Sequence, residues 1–419
     1  MTATASNLDQ PPEMPSSRPE LDFDDGEVFT GDFHASYRWM RANEPVFLDA
    51  GGVSGPLYAA TTRDLIMTCS ADTKTFSNAG GITPQRDEDR IALPMMIELD
   101  PPEHIRRRKL VNSGFTPRSI RGMTDRVRQV CDEIIDSVCE RGECDFVNDV
   151  AAHLPLIMIS DMLGFPESDR EELLELSDDL MKGVSGTAPP EIMERAAMAS
   201  MRFRERLLEQ VGNRREEARD DLLSKLVFAE VDGHNLSDDD IFYEALLILI
   251  GGDETSRHVI SGGMHQMMLH PGQWQALLDD RSGLTMAVEE MLRWVTPIKN
   301  MMRTVATGTE LGGVELNPGD RVMLAYASAN RDETVWENPY VFDSTRESNP
   351  HVAFGGHGAH YCLGNNLARL EMQIMFEQVL ERMPDLQLAN DQPLPIRPSY
   401  FVSGFEEMPV TFTPTAPRS

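Results

Sequence analysis

Apolar residues recur with a helical period over most of this chain and alternate with polar ones over only a few short stretches. The longest periodic run starts after Ser237, a residue type that caps helix N-termini. Asp238, Asp239 and Asp240 follow and suit the positive helix end. The run ends at His270, before Pro271. That is about 32 residues, roughly 48 Å of helix, enough to cross a whole domain. A second run, Leu363, Leu367, Leu370, Ile374 and Phe376, reaches Met383-Pro384. Residues 117–230 are helical in pattern, with breaks near Gly142, at Gly164-Phe165-Pro166 and over 183–190, which reads as a mobile loop. Residues 45–69 predict a small β-sheet. Residues 314–325 predict two short strands around Asn317-Pro318-Gly319-Asp320, 297–303 an extended segment, and 401–412 a terminal hairpin whose tip lines a pocket. The class is mainly α with small β-sheets.

Composition narrows the picture. The chain has 419 residues with no Gly/Ser linker or internal repeat, so residues 26–419 read as a single large unit. Residues 1–25, rich in Pro, Ser and acid, are expected to be disordered. Lys and Arg total 38 against 69 Asp and Glu, a net charge of −31, which argues against nucleic acid or an anionic membrane as partner. The five cysteines are odd in number and form no Cys-x-x-Cys, as suits a reducing cytoplasm. The N-terminus shows no signal-peptide pattern. The most apolar segment, read at 245–250, is far shorter than the ~20 residues that span a bilayer.

The candidate chemistry centres on Cys362. It lies in Phe354-Gly355-Gly356-His357-Gly358-Ala359-His360-Tyr361-Cys362-Leu363-Gly364, at the mouth of the second apolar run. A lone cysteine is most often a small buried hydrophobe. Here glycines let the backbone approach a flat ligand, and the helix mouth favours a thiolate, the form that binds metal. Elsewhere, Asp100-Pro101-Pro102 sets a turn before His104 and Arg108, which share one helix face. The long helix is interrupted mid-way by Gly251-Gly252-Asp253-Glu254-Thr255, where missing side chains either allow close packing or open a groove. Glu290 and Arg293 stand at i and i+3.

The cysteine loop resembles the haem-binding loop of the cytochrome P450 family. Four further stretches resemble the family in the same order: 100–108, 251–255, 290–293 and 303–346. The resemblance implies the P450 fold and a b-type haem. Cys362 would be its axial thiolate, within a motif that Gly364 completes, with Phe354 packed on the thiolate side. His104, Arg108, Arg303 and His360 would meet the haem propionates. Gly252, Glu254 and Thr255 match the oxygen-activation motif, where Glu254 and Thr255 would order water and relay protons. Glu290, Arg293 and Arg346 would form a structural triad, although the usual proline beside the last is missing.

Residues 246–258, 289–294, 297–303 and 401–414 resemble the actinobacterial members that oxidise the terminal side-chain carbon of cholesterol and cholest-4-en-3-one. By family position, Ile82, Met95, Met96, Ile248, Val295, Pro297, Met302, Phe401 and Val402 would face the substrate; all are apolar. The implied reaction inserts one oxygen atom from O2 into an unactivated C–H bond. No flavin or nicotinamide fingerprint is fused to the chain, so electrons would come from a separate ferredoxin and its NAD(P)H-dependent reductase. The basic run Arg106 to Lys109 is the expected docking patch of this monomer. A fatty-acid or polyketide hydroxylase, and a haem sensor or carrier without oxygenase activity, are the competing readings. The second would not need the 252–255 motif.

Overall fold

The computed structural model describes residues 10–52, 54–84, 93–184, 188–231 and 233–418. Residues 1–9 of the segment expected to be disordered, 185–187 of the expected mobile loop and Asp232 of the turn before the long helix lie outside the described residues. Helices make up 53% of the chain and the sheets are small, the mainly-α class expected.

The architecture is set by the helix Asp238–Leu269, whose 32 residues match the length of the sequence run. Ser237 Oγ accepts the Asp240 N–H and the Asp240 carboxylate accepts the Ser237 N–H, so two orphan donors are satisfied reciprocally. Its glycines serve both readings offered by the sequence. An added Cβ would lie 2.5 Å from Ile159 Cγ1 at Gly252, 2.8 Å from Val295 Cγ2 at Gly262 and 2.7 Å from Met291 Sδ at Gly263. These three positions let neighbouring helices close in. Gly251 has nothing within 4 Å and faces open space. Ile159 belongs to Phe146–Leu163, a stretch of mean hydropathy 1.3. At 18 residues it is longer than the 245–250 segment read as the most apolar. It is long and apolar enough to cross a membrane but 72% of it is buried inside the protein, as a core helix would be.

The main sheet has five strands, in the order Val46–Asp49, Leu57–Ala60, Arg321–Ala325, Asn300–Val305 and Phe76–Ser77. The sheet expected over 45–69 stops at Ala60, because Thr62 accepts the Leu65 N–H and starts the helix Arg63–Ala71. Both strands expected around Asn317–Asp320 form, but with different partners: Val314–Leu316 pairs with Thr309–Leu311, and Arg321–Ala325 enters the main sheet. The terminal hairpin does not form. Pro409–Thr411 pairs with Gln387–Leu388 and Glu143–Asp145, while the 401–403 backbone bonds to 297–299 through Lys299 N to Phe401 O (2.8 Å) and Ser403 N to Pro297 O (3.1 Å).

The boundary expected at residue 25 falls inside packed chain. Phe23 is fully buried and meets Phe47 edge-on at 6.5 Å, the Arg18 guanidinium lies 3.9 Å over the Phe47 ring, and Asp25 caps Gly26–Thr30. Aromatic anchors override a disorder-prone composition here. Phe23→Ala should therefore destabilise the protein by about 3–5 kcal/mol, the usual cost of emptying a buried phenylalanine site, as read by denaturant unfolding. A change near zero would show that this segment is not part of the cooperative core.

Candidate active site

The loop before Cys362 needs its glycines. Gly355, Gly356 and Gly358 have φ of 90°, 74° and 98°, and a Cβ on Gly358 would sit 2.2 Å from the Ser70 carbonyl oxygen. The turn closes with Cys362 N donating to Phe354 O (3.0 Å). Gly364 then begins the helix Asn365–Arg382, and Asn365 Nδ2 donates to Cys362 O (2.8 Å). Burial pushes the Cys362 thiol up from its ordinary value. The Gly364 and Asn365 N–H groups, Arg108 and Arg369 pull the other way. The pull expected of a helix mouth is thus present, but burial outweighs it in the free thiol.

Cys362 opens onto a cavity between this loop and the long helix, with about 1330 Å³ of atom-free space when the part open to solvent is included. On the helix side Gly251, Gly252, Thr255 and Ser256 form the wall. Thr255 Oγ1 donates to Gly251 O at 3.0 Å, back into the turn that the glycines leave open.

One end of the cavity is basic. His104, Arg108, Arg303 and His360 all line it, with His104 and Arg303 only 1% and 2% exposed. The two imidazoles lie 4.0 Å apart, centroid to centroid. Burial drives His104 down to about 4, helped by Arg108. Burial drives His360 down to about 2, helped by His104, Arg303 and Arg108. His104 Nδ1 and His360 Nε2 are buried without a hydrogen-bond partner among the described residues. Buried polar groups are ordinarily bonded. A basic end with two orphaned ring nitrogens fits a ligand carrying carboxylates, and a thiol in the wall of the same cavity fits a flat metal-bearing ring. The residues present therefore fit haem with its propionates.

Glu254 does not reach this cavity. It is fully buried on another face of the helix, 2.9 Å from both Arg397 Nη1 and Arg257 Nη1 and 3.2 Å from His258 Nε2. Burial works to raise its pKa, but Arg397 and Arg257 hold the carboxyl well below the usual range. Arg397 also donates to Asp178 (2.7 Å) on the helix Arg170–Gly183, so the network ties two helices to the C-terminal segment. The sequence reading missed Arg397 and Asp178, which no local spacing links to Glu254. It also missed Glu371, a buried cavity-wall acid that burial pushes up to about 8. A signal existed: Glu371 stands four residues after Leu367 and three before Ile374, inside an apolar stripe.

Of the expected substrate residues, Met96, Ile248 and Pro297 line the cavity; Ile82, Met95, Val295, Met302, Phe401 and Val402 do not. Strand alternation turns Met302 into the core beside Phe23 and presents Met301 instead. Val295 packs on Gly262, Val402 bridges Ile298, and Phe401 packs against the Met302 cluster. Ile82 and Met95 are buried elsewhere. Ile97, Phe115, Ile159 and Leu247 complete the apolar wall.

The structural triad assembles. Glu290 binds Arg293 through two bonds of 2.7 and 2.6 Å and Arg346 at 3.2 Å, without the proline. The basic run is less available than expected. Arg107 turns inward to Glu103 (3.2 Å) and Asp240 (2.5 Å), Arg106 pairs with Glu103, and Lys109 is exposed.

Residues 94–403 match the family model for cytochrome P450. A protein of Mycolicibacterium smegmatis named steroid C26-monooxygenase is 48% identical over 402 residues, 96% of this chain and 98% of its own length. One of the same name from Mycobacterium tuberculosis is 48% identical over 401 residues, 95% of this chain and 98% of its own. Among solved structures, a Mycobacterium marinum cytochrome P450 in complex with pseudoionone superposes with a TM-score of 0.87 at 32% identity, covering 95% of this chain and 100% of that one. Sequence, fold and the thiol-facing cavity agree: this chain belongs to the cytochrome P450 family, and it is a monooxygenase that uses haem b, O2 and electrons from a redox partner.

Proposed function

We propose that the enzyme oxidises the terminal side-chain carbon of a steroid, cholesterol or cholest-4-en-3-one. The observation that carries this reading is the 48% identity, over nearly the whole chain, to relatives named steroid C26-monooxygenase. The cavity wall supports it. Met96, Ile97, Phe115, Ile159, Leu247, Ile248 and Met301 offer an apolar, partly pliable surface. A haem sensor or carrier would not need the glycine-opened turn that carries Thr255.

Cys362 would ligate the haem iron, and His104, Arg108, Arg303 and His360 would hold the propionates, with Phe354 and Gly364 shaping the thiolate side. The haem supplies activation of dioxygen. The chain supplies orientation and protons. Gly251 leaves open space beside this turn, and the Thr255 hydroxyl, parked on the Gly251 carbonyl, is the group placed to hand over a proton. Glu254 acts through its buried arginine network, positioning the Thr255 turn rather than touching the cavity. With Arg107 paired inward, exposed Lys109, Arg118 and Arg121 are the cations that would dock an acidic ferredoxin. All five cysteines are free, which suits the reducing cytoplasm as compartment.

Cholest-4-en-3-one should bind tightly and shift the ferric enzyme to high spin, and turnover with a ferredoxin system should give the terminal alcohol, then the acid, by mass spectrometry. Ring hydroxylation, or preference for a fatty acid, would overturn the substrate. Thr255→Ala should keep haem and steroid binding yet divert most reducing equivalents to peroxide or water; unchanged coupling would remove Thr255 from proton delivery. Lys109→Glu should slow ferredoxin-driven reduction several-fold at low salt, with the difference fading as salt rises. Rates indifferent to both would move the docking site elsewhere.

A further inference from the structure

Beside the cysteine loop, outside the cavity wall, is a charge chain that the roles above do not use. Glu289 grips Arg369 with a two-pronged contact, Oε1 to Nε at 2.6 Å and Oε2 to Nη2 at 2.9 Å. The same Oε2 meets His351 Nε2 at 3.0 Å. His351 Nδ1 accepts the Ala353 N–H (3.2 Å), so the ring proton belongs on Nε2 and points at Glu289. Burial works to raise the Glu289 pKa, but Arg369 and His351 hold it down to about 2, so it is a carboxylate. The gripped guanidinium lies 4.5 Å over the Phe354 ring, whose other neighbours are His351 at 5.8 Å and Tyr361 at 6.3 Å. It also donates to Asn365 Oδ1 (3.1 Å), and Asn365 in turn donates to the Cys362 carbonyl.

We propose that Glu289 is a positioning residue for the thiolate side of the haem: with His351 it fixes Arg369 against Phe354 and the Cys362 turn, and so sets the electrostatic potential at the iron ligand. The proposal rests on the reading of Cys362 as that ligand. Its physical basis is charge balance. Reduction of the iron adds one electron to the site, which nearby positive charge favours and negative charge opposes. Arg369 and Glu289 are only 31% and 26% exposed, so solvent screens them incompletely. Neutralising one leaves the other uncompensated, and the two neutralisations act in opposite directions.

The test is the ferric–ferrous midpoint potential of the haem-loaded full chain, measured by redox titration. Glu289→Gln should raise it and Arg369→Gln should lower it, each by several-fold in the reduction equilibrium; tenfold corresponds to ~59 mV for one electron. The double variant should return towards the parent. Arg369→Lys, which keeps the charge but loses the fork, should rescue most of the loss. Merely structural damage would move both single variants the same way. Should Arg369→Gln fail to load haem, Glu289→Gln decides alone: a rise supports the proposal, and an unchanged or lower potential overturns it. The carbon monoxide spectrum of the reduced protein separates the underlying reading. A thiolate-type band kept in the Glu289 and Arg369 variants and lost in Cys362→Ser upholds the ligand; a band that survives Cys362→Ser removes it, whatever the potentials do.

Discussion

The side chains of Glu290 and Arg293 have no access to solvent, and their bonds run to the segment that leads into the cysteine loop. Arg293 donates to the carbonyls of Asn330, Pro339 and Val341. Glu290 accepts from Asp343 N–H, Arg346 and Asn349. A buried ion pair gives little net stability, but losing one partner costs about 3–5 kcal/mol because a bare charge remains. Two charges without water thus fix six groups of one irregular segment. Asn330 carries the constraint onward by accepting the Val352 N–H at 2.8 Å, two residues before Phe354. Cys362 has its place because this pair cannot come apart cheaply.

Within that frame the site divides by charge. One end gathers two arginines and two histidines; burial keeps both imidazoles neutral, and each has a ring nitrogen without a partner among the described residues. The opposite wall is the glycine-opened turn, with the hydroxyl-bearing Thr255 and Ser256. Acids near the turn are kept apart from it or kept neutral. Glu254 is locked to arginines behind the helix, and burial raises Glu371 to about 8. The cavity can therefore be apolar towards a substrate while still bordering groups that hold protons.

The same logic shapes the outer face of the cysteine loop. A thiolate at the wall of this cavity is favoured by positive charge nearby, and Arg108 and Arg369 supply it. Each is held by the chain itself, Arg108 by the Tyr361 carbonyl and Arg369 by Glu289.

The sequence by itself determined what depends on local order. The length of Asp238–Leu269 followed from its cap and its periodicity, and the cysteine loop followed from glycines whose φ values exclude other residues. Pairs within one helical turn, such as Glu290 with Arg293, were legible for the same reason. Tertiary structure decided what depends on which face meets what. One residue of strand phase put Met301 rather than Met302 in the cavity, and the needs of the 297–299 backbone took the partner of an expected hairpin. Glu254 was drawn away from the cavity by Arg397, 143 residues along the chain. Burial, which the sequence does not display, reversed the expected shift of the Cys362 thiol. Periodicity and backbone sterics act over a few residues; facing, pairing and desolvation exist only once distant segments have met.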